Sequence, residues 1–341
     1  MILFNSDYME GCHPRILELL QQTNFEQAPG YEQDQFCDRA RELIRAKCGQ
    51  SDLDVHFFSS GTLTNLTVIG AALRPHQAVI STELGHVATH ETGAIELTGH
   101  KVLPVPSADG KLTAEQVRQL YEAHHGSATA EHEPQPKLVY ISHPTELGTL
   151  YTRAELQALH ETCADCGLYL YMDGARLGYG LAAEGNDLDL PTIAALCDVF
   201  YIGGNKVGAL IGEALCIRSE ALKKDFRYSM KQRGALTAKG RLIGIQFIGL
   251  FEDDLYLEIS KNAIETAMVI RRTCEEKGYP FLAPSPTNQQ FPILPNEHIE
   301  ALRAHFGFGA IAKVDEGHTA VRFCTSWATR MEDVLALCER L

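Results

Sequence analysis

Residues 169–180 read YLYMDGARLGYG and residues 197–208 read CDVFYIGGNKVG. Each segment starts with a short apolar run and stops at a glycine turn beside a residue of catalytic type. Leu168–Met172 leads to Asp173; Val199–Ile202 leads through Gly203, Gly204 and Asn205 to Lys206. Short apolar runs that halt at such turns predict buried parallel strands. In an open α/β sheet, residues that follow strand ends face the crevice where ligands bind. The acid and the lysine are therefore expected in one crevice.

A lysine that forms a Schiff base needs an aldehyde, and pyridoxal 5'-phosphate (PLP) is the usual one. An aspartate that keeps the pyridinium nitrogen protonated is the partner such sites require. Asp173 and Lys206 are the candidates for these two tasks. Further upstream, the predicted strand Asp54–Ser59 runs into SGTLTN and a helix over Leu63–Leu73. A helix N-terminus that opens on a small glycine turn binds phosphate through backbone N–H groups. Ser60, Gly61 and Thr62 are the predicted phosphate cup. A dinucleotide-binding domain would need G-x-G-x-x-G at this place, and SGTLTN is not that.

The chain has 341 residues, 45% of them hydrophobic and 22% charged, with a formal net charge of −14. Its length suits one large domain and a smaller one. The acid excess argues against a nucleic-acid partner, because such proteins carry basic patches. No stretch approaches the roughly 20 apolar residues of a membrane helix, so no membrane role is expected. The opening MILFNSDYMEG has neither a basic n-region nor a long apolar h-region. The 10 cysteines show no repeating framework. Together these features predict reduced thiols and a cytoplasmic protein. His86 and His90 lie four apart, but the zincin order is absent and no third ligand is evident, so no metal is expected.

DGAR followed by GGNK, the SGT-x-x-N turn, SDYMEGCHP near the start and RFCTSWAT near the end resemble the threonine aldolase family of PLP enzymes. That family shares the aspartate aminotransferase fold (fold type I). The resemblance implies a mostly parallel seven-stranded sheet in a large domain and a small C-terminal α/β domain. The expected division is an arm over 1–30, the PLP-binding domain over 31–250 and the small domain over 251–341. The implied reaction is aldol cleavage of threonine or allo-threonine to glycine and an aldehyde. A β-eliminating lyase or an aminotransferase on the same fold would keep Asp173 and Lys206 and differ in the pocket.

The resemblance also assigns residues. His86 stacks on the PLP ring, and His90 lines the substrate pocket. Ser6 of the SD motif belongs to the substrate site. Tyr31 reaches the site of a neighbouring subunit, which implies a homodimer or homotetramer. Arg176 of DGAR fixes substrate or anchors the strand end. The MKQRG turn supplies a basic residue to the phosphate, either Lys231 or Arg233. Arg322 grips the substrate carboxylate, a task a guanidinium performs bidentately. A histidine of the loop 124–136 lies near the substrate hydroxyl as its base. An ungapped count places it at His132, with His125 in reserve.

Overall fold

The computed structural model describes residues Met1–Leu341. Its large sheet has seven strands, in the spatial order Asp54–Phe58, Glu213–Ile217, Val199–Gly203, Tyr169–Asp173, Gln135–Ser142, Gln77–Thr82 and Val102–Val105. Only Glu213–Ile217 runs antiparallel to its neighbours; the remaining pairings are parallel. The expected mostly parallel, seven-stranded sheet is the one observed. Val199–Gly203 is buried along its whole length. A sheet covered by helices on both faces demands such continuous apolar runs.

Local signals set the helix ends. Thr113 with Gln116 and Thr152 with Glu155 form reciprocal capping boxes that start the helices Ala114–His125 and Arg153–Cys166. Asp34 caps Gln35–Cys48, which ends at the left-handed Gly49. The apolar helix Arg241–Phe251 is followed by a break where Asp253 and Asp254 both take φ of 60°. Helix Leu255–Glu276 then runs 22 residues toward the C-terminal layer.

That layer holds a small antiparallel sheet in the order Ile293–Pro295, His318–Cys324, Gly309–Lys313, with Gln289–Gln290 paired to the far end of His318–Cys324. Ile2–Leu3 pairs with Phe306–Gly307, so the first residues of the arm attach to this layer. Phe4 is buried in its core with Phe306 and Phe323. Asp7 is thereby carried from the C-terminal layer to Arg176, which follows the middle strand of the large sheet. No helix is long and apolar enough to cross a membrane.

Candidate active site

The parallel strands converge, at their C-terminal ends, on a cavity of about 570 Å³ whose walls include Ser60, Gly61, Thr62, His86, Asp173, Arg176 and Lys206. Asp173 ends one strand, and Lys206 follows the neighbouring strand, which pairs with it at Tyr171–Val199 and Met172–Phe200. The two chain turns cross so closely that Gly203 N–H donates to the carbonyl of Gly174 at 2.9 Å. A Cβ on Gly174 would stand 1.9 Å from the carbonyl oxygen of Tyr201. The glycine of DGAR is thus a requirement of packing.

Asp173 is buried and fully engaged. Its Oδ1 accepts from the Tyr201 hydroxyl at 2.5 Å and from Ala175 N–H at 2.9 Å. Its Oδ2 accepts from the Tyr140 hydroxyl at 2.5 Å and from Asn65 Nδ2 at 3.1 Å. Burial alone would raise its pKa. The charge of His86 and the hydrogen bonds from Tyr140, Tyr201 and Ala175 outweigh that, so the carboxyl lies below its ordinary range. Asp173 is thus built to remain an anion.

Burial pushes the Lys206 ammonium below its ordinary pKa, and the charge of Arg176 adds to the effect against the pull of Asp7, Asp173 and Glu213. A lowered pKa supplies the neutral amine that attacks an aldehyde. The turn before Lys206 is pinned from the antiparallel strand. Glu213 accepts from Gly204 N–H at 3.0 Å and from Asn205 Nδ2 at 2.7 Å. Burial raises the Glu213 carboxyl to about 7, against those bonds and the charge of Lys206.

His86 lies on another wall. Its Nδ1 is 2.7 Å from Oε1 of the buried Glu91, which also accepts from Asn65 Nδ2 at 2.7 Å. Burial disfavours the imidazolium, yet the Glu91 hydrogen bond and the charges of Asp173 and Glu91 raise its pKa above the ordinary value. The His90 ring lies 5.7 Å from it, exposed and outside the cavity lining. Arg176 lines the cavity but spends its Nε and Nη2 on Asp7, at 2.7 and 3.0 Å. Its role as an anchor is therefore visible. Ser6 stays outside the lining, and its neighbour Asp7 makes the structural contact.

Arg322 pairs with no acid. Its Nη1 donates to Gln289 Oε1 at 3.2 Å and its Nη2 to the Asn5 carbonyl at 2.9 Å. Arg322, like His90, stands outside the cavity lining; burial lowers the pKa of His90, and the charges of His86 and Arg322 add to that, so the two side chains are neighbours. A half-buried guanidinium held by neutral acceptors retains its charge for an incoming carboxylate.

Two sets of expected residues stand apart from the cavity of their own chain. His132 sits in a short 3-10 turn just before strand Gln135–Ser142, and His125 closes the preceding helix, stacked on Tyr121. Gln135 N–H bonds the carbonyl of His76, just ahead of the neighbouring parallel strand. Both histidines therefore lie at the N-terminal edge of the sheet, a strand length of roughly 23 Å from Ser142. In a βαβ unit the helix-to-strand connection falls on the edge away from the site. Within its own chain neither histidine reaches the cavity. Lys231 and Arg233 are the second set, and neither lines the cavity of its own chain. The Lys231 ammonium lies over the Tyr31 ring at 4.3 Å. The Arg233 guanidinium instead lies against Gly70.

The sequence reading missed Asn65, Tyr140, Tyr201, Glu146 and Glu213. The tyrosines read as core aromatics in apolar strands. Glu146 and Glu213 stand alone in their segments, and only the convergence of strand ends gives them a shared setting.

The residues suit PLP. The cavity unites an amine of lowered pKa, a buried carboxylate kept ionised and a helix N-terminus at Gly61–Ala72 whose first N–H groups have no partner within the helix. A Cβ on Gly61 would come within 2.9 Å of the Tyr201 hydroxyl. Glycine there lets a ligand and the Asp173–Tyr201 bond coexist.

The fold is the aspartate aminotransferase architecture, with a buried lysine and a buried aspartate sharing one cavity. A Thermus thermophilus aspartate aminotransferase double mutant superposes with a TM-score of 0.73 at 14% identity, covering 100% of this chain and 90% of the other, which speaks for the fold alone. The beta-eliminating lyase family matches residues 4–297. The low specificity L-threonine aldolase of Pseudomonas aeruginosa is 32% identical over 337 residues, covering 98% of this chain and 95% of that protein. A Leishmania major threonine aldolase structure is 45% identical with a TM-score of 0.97, covering 99% of this chain and 98% of the other. The chain belongs to the threonine aldolase family within the beta-eliminating lyases. It is a lyase.

Proposed function

We propose that this lyase uses PLP to cleave threonine or allo-threonine between Cα and Cβ, giving glycine and acetaldehyde. The observation that carries the proposal is the pairing, in one cavity, of the buried Lys206 amine with an Asp173 carboxylate that accepts four hydrogen bonds. The near-full-length similarity to threonine aldolases supports the choice of substrate. PLP, when bound, supplies the aldehyde for Lys206 and a ring that accepts the electron pair of the broken bond.

The chain's own residues divide the work as follows. Ser60, Gly61 and Thr62 hold the phosphate. Asp173 keeps a proton on the ring nitrogen through its negative charge. His86, fixed by Glu91, would offer its flat ring to the cofactor. Arg176 holds the arm through Asp7. Arg322 receives the substrate carboxylate, and Ser6 and His90, which stand outside the cavity lining, are assigned to the substrate side by the family resemblance. The N-terminal arm, the large domain and the C-terminal domain keep the limits given above.

The active form is a homodimer or homotetramer. Tyr31 is 44% exposed and carries Lys231 on its ring, outside its own cavity. That placement supports a contribution of Tyr31 and of Lys231 or Arg233 to the site of a neighbouring subunit. The ten cysteines are free thiols, eight of them buried, which supports a cytoplasmic location.

The test is direct. Protein incubated with L-threonine should release glycine and acetaldehyde in equal amounts. Borohydride reduction should fix the cofactor on Lys206; label on Lys231 or Lys239 would overturn the assignment. β-Elimination or transamination without aldehyde release would move the chain to another reaction on the same fold.

A further inference from the structure

On the aldol-cleavage reading given above, some group must take the proton of the substrate's β-hydroxyl. Within the chain that forms the cavity, the loop histidines lie at the far edge of the sheet. The ionisable groups of the cavity are mostly committed elsewhere. Asp173 accepts four hydrogen bonds. Both oxygens of Glu213 hold the Gly204–Asn205 turn. His86 Nδ1 is bound to Glu91, and its raised pKa favours the cation. Tyr201 donates to Asp173, Arg176 is paired with Asp7, and Glu10 is exposed at the rim with one oxygen on Ser326.

Glu146 is different. Its Oε1 accepts from the Ser142 hydroxyl at 2.7 Å and from His86 N–H at 2.9 Å. Those two donors fix the carboxylate plane from two separate segments. Its Oε2 has no protein partner, and the residue lines the cavity, half-buried. Ser142 is paired in register with Asp173 on the adjacent strand, so Glu146 is anchored one strand away from the cofactor-binding acid.

We propose that Glu146 is the catalytic base that removes the β-hydroxyl proton during Cα–Cβ cleavage. The hydroxyl proton passes to Oε2 of Glu146. The O–H electron pair becomes the second bond of the aldehyde carbonyl. The Cα–Cβ pair stays with the α-carbon, which later takes a proton to become glycine; no oxidant or further reactant is needed. Burial raises the Glu146 pKa against the hydrogen bonds from Ser142 and the backbone, and the charge of Asp173 adds to the rise. A carboxylate with a raised pKa is a stronger base, closer to the range that suits proton transfer near neutrality. The sequence ELGT after the strand gives no hint of this, because the glutamate is separated by 27 residues from Asp173 and by 60 from Lys206.

Glu146→Gln keeps the shape and the Oε1 acceptor but removes the base. Loss of a general base costs on the order of 10²–10⁴-fold. The expected result is a fall of that size in kcat for L-threonine cleavage, with KM little changed. The apoprotein's melting temperature, its Kd for PLP and the bound-cofactor absorbance should match wild type. Exchange of the α-proton of glycine in heavy water should persist, because glycine has no β-hydroxyl. Glu146→Asp, which retains a carboxylate, should recover part of the cleavage rate. Unchanged cleavage in Glu146→Gln overturns the proposal, as does a parallel fall in cleavage, glycine exchange and PLP affinity, which would mark a merely structural anchor. A wild-type protein that binds PLP but cleaves no β-hydroxy amino acid removes the aldol reading, and the proposal with it; an active wild type beside an equally active Glu146→Gln removes the proposal alone.

Discussion

Arg176 lays its Nε and Nη2 on the two carboxylate oxygens of Asp7, at 2.7 and 3.0 Å, across 169 positions of sequence. Asp7 also accepts from Asn288 Nδ2 at 2.9 Å, and the same amide donates to the Thr325 carbonyl at 2.8 Å. One buried carboxylate thus ties the N-terminal arm, the DGAR turn and the C-terminal layer together beside Lys206.

Asp7→Ala leaves the Arg176 charge without its partner, which costs about 3–5 kcal/mol for a buried pair. Burial raises the Asp7 pKa, but Arg176, Lys206 and Asn288 together lower it below its ordinary value. A group with a depressed folded-state pKa adds stability that is fully present above the unfolded value of about 3.9. That stability is lost as pH falls through the folded-state pKa. Urea midpoints measured from pH 7 to pH 3 should therefore fall steeply in wild type and less steeply in Asp7→Asn. Equal slopes would show that Asp7 is not an ionised partner.

Tyr201→Phe or Tyr140→Phe removes one donor from Asp173. A hydrogen bond to a charged group contributes about 1.5–3 kcal/mol, so the Asp173 pKa should rise. The acid limb of the threonine-cleavage profile, and of PLP binding, should move to higher pH in either variant. An acid limb that stays in place would assign it to another group.

Arg322→Ala should raise KM for threonine roughly 10- to 100-fold, the range expected for losing one charge-assisted contact. Inhibition by the amino alcohol of threonine, which lacks the carboxylate, should be unaffected. If both ligands weaken alike, Arg322 serves the arm through Asn5 and Gln289 rather than the substrate.

Light scattering should give at least twice the 37.7 kDa chain mass. Tyr31→Ala with Lys231→Ala should lower PLP affinity without altering the isolated chain's own cavity. A fully active monomer would exclude a shared site.

Much of the architecture was legible in the sequence. Apolar runs ending in DGAR and GGNK located the two central strands and the residues after them. SGTLTN after an edge strand located the helix N-terminus at Gly61–Ala72. These readings work because strand burial, glycine turns and caps are local, and because the crevice of such a sheet always gathers strand C-terminal ends. The loop histidines lie away from the cavity of their own chain for the same geometric reason in reverse. A count along the chain gives the distance to a strand but not the edge of the sheet on which a residue lies.

Tertiary structure alone decided which groups share a field. Asp173 draws its donors from Tyr140, Tyr201, Asn65 and Ala175, which come from two strands, a helix and a turn. Glu146 acquires a fixed oxygen and an open one only when Ser142 and His86 meet beside it. The sequence by itself determined the central strand ends and the lysine–aspartate pair, because strand-end motifs are written in neighbouring residues, and its resemblance to a family implied the rest of the fold. The charge states, the anchored arm and the candidate base were decided by packing, because burial and Coulomb interactions depend on distances between atoms far apart along the chain.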